Sequence, residues 1–117
     1  MSQATTRKER KAVYEAVLRV VDAQTSPEQA PGIRRTTITR LLTPPEGPHD
    51  LDDVRSAIRA ARENDELLSW PDHAGRRRYS LADVEKLRRV AEWEGEREHP
   101  RPAVVGWANR MVAEVSD

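Results

Sequence analysis

The chain has 117 residues, enough for one domain with a modest core and too few for two domains of ordinary size. Hydrophobic residues make up 37% and charged residues 34%, and with no Phe the core must rest on Leu, Val, Ile and Ala. Twenty basic side chains cancel twenty acidic ones, so net charge alone nominates no nucleic acid; the absence of Cys excludes disulfides, thiolate zinc sites and cysteine nucleophiles.

The N-terminal stretch MSQATTRKERK is polar and leads into no apolar run, and no segment approaches the ~20 apolar residues that span a bilayer. A protein without leader or membrane span, working in a reducing cytoplasm, is expected. Thr6 and Glu9 have capping-box spacing, and Val13, Ala16, Val17, Val20 and Val21 then recur at three- and four-residue steps. This predicts a first helix over about 6–24. Ser26–Gly32, with two Pro and one Gly, ends it. Ile33-Arg34-Arg35 reads as a short strand, and Thr36 or Thr37 as the cap of a brief second helix carrying Ile38, Leu41 and Leu42. Thr43–His49, with three Pro, is a loop.

Asp50 is the expected N-cap of a third helix, whose first turn carries Asp52 and Asp53, carboxylates that suit the positive end of the helix dipole. Leu51, Val54, Ile58 and Ala61 form its predicted buried stripe, and Asn64 is its expected left-handed stop. Leu67–Trp70 and Arg78–Leu81 read as two strands joined by a turn over Pro71–Arg77. Ser80–Asp83 is expected to cap a fourth helix running to about Glu98, with Val84, Leu87, Val90, Ala91 and Trp93 on its apolar side. The carboxylates Glu92, Glu94, Glu96 and Glu98 read as a solvated face. Pro102 suits the first position of a fifth helix.

Leu51–Trp70 (LDDVRSAIRAARENDELLSW) and Gly75–Leu81 (GRRRYSL) therefore describe a helix stopping at a small turn, a strand, an Arg-bearing loop and a return strand ending Tyr79-Ser80-Leu81. Over about residues 6–81 this order resembles the winged helix-turn-helix domain of small transcriptional regulators. The resemblance implies a mainly α fold with a β-hairpin wing, residues 1–81 forming the winged domain and 82–117 a C-terminal helical extension. It also implies that helix 3 enters the major groove of duplex DNA while the wing follows the backbone or minor groove.

The charges are unevenly placed: residues 1–20 carry an excess of three positive charges and 71–80 an excess of two. Seventeen of the twenty basic residues are Arg, whose forked guanidinium suits phosphate and guanine. Arg55, Arg59 and Arg62 fall at about 40°, 80° and 20° around helix 3 from Leu51, beside an apolar stripe at about 280–360°. They are candidates for base or phosphate contact; the alternative is a solvated face paired to Asp52, Glu63 and Glu66. Arg76, Arg77 and Arg78 follow Gly75 in the hairpin, and three consecutive cations are costly to bury. Strand alternation puts Arg76 and Arg78 on one face and Arg77 on the other. Arg35, Thr36, Thr37 and Arg40 surround the start of helix 2, where the resembling domains touch phosphates. Arg7, Lys8, Arg10 and Lys11 read as an ordinary first turn partnered by Glu9 and Glu15.

His49, His73 and His99 lie far apart and lack metal-ligand spacing, and no Gly-rich phosphate loop occurs, so neither metal, cofactor nor small-molecule ligand is expected. No nucleophile and base can be assembled into an enzyme site. Val104, Ala108, Met111 and Val115, with Trp107 beside them, have the 4-3-4 spacing of a helix–helix seam and predict a homodimer through helices 4 and 5. The alternative is that helix 5 folds back on helix 1. Two readings stand: a DNA-binding transcriptional regulator, and a protein-interaction module on the same fold, favoured by the acidic start of helix 3.

Overall fold

A computed structural model describes residues 7–23, 31–72, 74–97 and 99–116. In chain order it places α1 (Arg7–Ala23), β1 (Ile33–Arg34), α2 (Arg35–Leu42), α3 (Leu51–Glu63), β2 (Leu67–Pro71), β3 (Arg77–Leu81), α4 (Val84–Gly95) and α5 (Pro102–Ser116). The fold is mainly helical with one small antiparallel sheet, in strand order β1–β3–β2.

Alternation along the central strand organises everything else. Tyr79 lies opposite Ile33 and Ser69, and Arg78 lies opposite Arg34 and Trp70. Side chains point to opposite faces with period two. Ile33, Leu67, Tyr79 and Leu81 thus turn one way and join Val13, Val17, Val21, Ile38, Val54, Ile58 and Ala61 of α1–α3 in the larger core. Trp70 turns the other way and packs with Val90, Val104 and Ala108 of α4 and α5. Helices α1–α3, the sheet, and the α4–α5 pair form three successive layers.

The caps explain where α3 and α4 begin. Asp50 accepts from the Asp52 amide at 3.2 Å, and Asp83 accepts from the amides of Glu85 and Lys86 at 2.9 and 3.2 Å. Tyr14 ties α1 to the corner after α3: its hydroxyl donates to Glu66 Oε1 at 2.6 Å and accepts from Asn64 Nδ2 at 3.2 Å. Burial and then the bond to Glu66 push this phenol's pKa up. Gly32 adopts φ +76°, and a Cβ there would lie 2.6 Å from Trp70 Cη2. Only glycine lets the chain enter β1 against the indole.

Several expectations change. Thr6 and the breaker residues 24–30 lie outside the described residues. Neither Thr36 nor Thr37 caps α2; the helix starts at Arg35 directly from the extended Arg34, with no side-chain cap. Leu51 is 39% exposed because it occupies the first position of α3, and Ala57 fills the buried stripe instead. Asn64 has φ −87°, and the left-handed residue is Asp65 at φ 58°, one place later. α4 ends at Gly95, not near Glu98. Glu94 is not solvated: it is 4% exposed, and Arg101 donates to both of its carboxylate oxygens at 2.8 and 3.1 Å. Finally, α5 packs on α4 and Trp70, not on α1.

Candidate nucleic-acid interface

Arg55, Arg59 and Arg62 lie on the exposed flank of α3 that borders the sheet. Arg35, the first residue of α2, reaches the same place from the other side. Together with Ile58, Glu63 and Tyr79 these four arginines line an open groove of about 350 Å³. Its floor is the ring of Tyr79, with the Arg62 guanidinium carbon 5.9 Å from the ring centroid, within cation–π range. Tyr79 is 3% exposed and fixed in the core, so it holds one wall of the groove rigid.

The electrostatics are one-sided. Among the described residues, none of Arg35, Arg55, Arg59 and Arg62 forms an ion pair with a carboxylate. The pairings that would make this a neutral solvated face (Arg59 to Glu63, Arg62 to Glu66, Asp52 to Arg55) are not made. Glu66 instead holds the Tyr14 hydroxyl. Four cations therefore converge on a groove with Glu63 as its sole acidic lining residue. Cations crowded in one groove repel one another, and an anion there relieves the repulsion.

The hairpin arginines have unlike environments. Arg76 and Arg77 are exposed, and alternation puts Arg77 on the Tyr79 face of the sheet, extending the line of positive charge toward the hairpin tip. Arg78 points to the opposite face, away from the groove. Its Nη1 donates to the Gly32 carbonyl at 2.9 Å and its Nε lies 3.5 Å from Asp72 Oδ2. The Asp72 carboxylate, missed in the sequence, organises the turn. Its Oδ1 accepts from the amides of Ala74 and Arg76 at 2.9 and 3.0 Å, and its Oδ2 is 3.3 Å from Arg34. Burial pushes this carboxyl up, but the two amides and the guanidiniums of Arg34 and Arg78 outweigh it and hold Asp72 below the ordinary carboxylate range. Asp72 followed by Gly75 at φ 78° was the available signal, since Asx side chains and Gly together build turns.

The remaining sequence candidates lie apart from the groove. Arg40 is exposed and 3.5 Å from Glu46. Thr36 is exposed at the start of α2, Thr37 is half-buried, and neither lines the groove. In the N-terminal cluster Lys11 lies 4.0 Å from Glu15, both exposed. On α5, Val104 and Ala108 are buried inside the chain's own second core, and Trp107 packs half-buried on Trp70 at 5.7 Å between ring centroids. Met111 and Val112 are half-buried and Val115 is exposed.

Two further concavities sharpen the contrast. One of about 200 Å³ on the other sheet face is lined by Trp70, Trp93, Arg34, Arg78 and Arg97, but Asp72 neutralises Arg34 and Arg78 there. Another, of about 370 Å³, is acidic, with Asp65, Glu66 and Asp83. Among the described residues no group of three or more His, Asp or Glu could hold a metal ion, and no helix is long and apolar enough to cross a membrane. The chain matches no known protein family, no curated protein and no solved structure.

Proposed function

We propose that this chain is a winged helix-turn-helix protein that binds duplex DNA, in the manner of a small cytoplasmic transcriptional regulator. The observation that carries the reading is the groove of four unpaired arginines between α3 and the sheet. Arg35, Arg55 and Arg62 hold backbone phosphates, α3 enters the major groove, and the exposed Arg76 and Arg77 of the wing follow the backbone beside it. Arg78 supports the wing from behind and touches no DNA. Phosphate contacts release counterions, so affinity falls with salt by about 0.9 log units per contact per decade.

Fluorescence anisotropy of a labelled duplex across a salt series tests this. Wild type is expected to bind at low salt, and the Arg35→Ala/Arg55→Ala/Arg62→Ala variant to show a slope shallower by about two to three units. Binding weaker than about 10⁻⁴ M at low salt would sink the reading. A protein-interaction module on the same fold is the second reading, and the exposed Asp52 and Glu63 on α3 favour it. Capture of a basic protein partner with no affinity for duplex DNA would select it.

We also propose a homodimer through the distal half of α5, where the half-buried Met111 and Val112 and the exposed Val115 continue the apolar stripe. Sedimentation equilibrium is expected to give twice the 13.3 kDa chain mass, and Met111→Glu/Val115→Glu to return the single chain. A wild type that stays at one chain's mass at high concentration would remove the dimer.

A further inference from the structure

The buried residues of α3 fix the direction in which its bare face points. Val54, Ala57, Ile58 and Ala61 are buried and centre at about 290° around the helix, counted from Leu51. The outermost line is therefore at about 110°. Asp52, Ser56, Arg59 and Glu63 fall at about 100°, 140°, 80° and 120°, and all four are exposed. Arg55 and Arg62, at about 40° and 20°, lie on the sheet-side flank with Arg35. Arg59 and Glu63 border the same groove from its outer edge, so the crest carries one cation between two anions while the sheet side carries only Arg35, Arg55 and Arg62.

A cationic flank is what phosphates need; a crest with Asp52 and Glu63 is the reverse. Carboxylates there weaken attraction to any polyanion, so they are poorly suited to a helix that grips DNA without regard to sequence. Base edges distinguish the two signs. In the major groove guanine shows two acceptors, thymine an acceptor and a methyl group, and adenine an acceptor beside a donor; cytosine shows a donor alone. A carboxylate is repelled by every acceptor and is matched by the cytosine amino group, while Arg matches the two acceptors of guanine. The crest runs about 16 Å from Asp52 to Glu63, the length of about five base-pair steps.

Building on the DNA-binding reading above, we propose that α3 selects G·C base pairs. Arg59 reads guanine and Asp52 and Glu63 accept from cytosine amino groups, the one base edge with a donor and no acceptor of its own, so the carboxylates disfavour sites where no cytosine meets them. Specificity by repulsion lowers affinity for every wrong site more than for the right one.

The test compares duplexes of equal length, one all G·C and one all A·T, with wild type and with Asp52→Asn/Glu63→Gln. Both positions are solvent-exposed, and a thermal melt of each protein checks that folding is unchanged. Wild type is expected to prefer the G·C duplex by about ten-fold or more. The double variant is expected to bind the A·T duplex more tightly than wild type while its preference falls below about three-fold. A G·C duplex carrying 7-deazaguanine, which lacks the N7 acceptor, is expected to weaken wild-type binding. Equal wild-type binding to both duplexes would overturn the selection of G·C pairs and leave the DNA-binding reading intact. Absence of binding to either duplex would remove both.

Discussion

Arg101→Ala is expected to lower the free energy of unfolding by about 3 kcal/mol and the Tm by about 10–15 °C, read by urea and thermal unfolding. Arg101, just ahead of α5, ties α4 to β2. Its Nε and Nη2 fork onto the Glu94 carboxylate in the last turn of α4, and its Nη1 donates to the Pro71 carbonyl, at the end of β2, at 2.7 Å. The Glu94 side chain is 5% exposed against 23% for Arg101. Removal of the arginine therefore keeps a carboxylate away from water without the guanidinium that offset its desolvation, the costly way to break a buried pair. Glu94→Leu/Arg101→Leu is expected to recover most of the loss, because neither charge then remains to be buried. A double variant as unstable as Arg101→Ala would mean that the cost comes from lost packing and not from charge.

Asp72→Ala is expected to cost about 2–3 kcal/mol, since a charged acceptor serves two amides and two guanidiniums at once. Asp72→Asn keeps an acceptor for the turn amides but not the charge facing Arg34 and Arg78, so it should fall between alanine and wild type. The pH dependence has a definite sign. The folded-state pKa of Asp72 is depressed, so its contribution is complete above the ordinary carboxylate value of about 4 and disappears as pH falls through its own lower value. The difference in stability between wild type and Asp72→Ala should therefore be constant at neutral pH and shrink on acidification below about pH 4. A gap that widens in acid would contradict the assignment of charge to Asp72 in the folded state.

Much of this was legible in the sequence because it depends on local periodicity. The Asp50 cap, Pro102 at the start of α5 and most of the stripes of α1 and α3 need only neighbours in the chain; Val20 is half-buried and Leu51 gives its place to Ala57. Partnerships across the fold were not legible. Glu94 looked like one of four alternating glutamates, and nothing nearby signals that Arg101, past a proline, folds back on it. Alternation sets Arg77 apart from Arg76 and Arg78, but that Arg78 serves the sheet depends on its cross-strand neighbour Arg34, the Gly32 carbonyl and Asp72. The arginines of α3 were found by angle alone. That Arg35 and the Tyr79 ring complete their groove required the sheet order β1–β3–β2, which no local pattern encodes.

The layering has a spectroscopic consequence. Trp70 of β2 packs against Trp107 on the α4–α5 side of the sheet, and Trp93 of α4 lines a concavity with Trp70. Both tyrosines, Tyr14 and Tyr79, belong to the core of α1–α3. The chromophores are thus sorted by layer. Indole emission watches one side of the sheet while phenol absorbance watches the other, so a single unmodified sample carries separate optical reporters for its two cores.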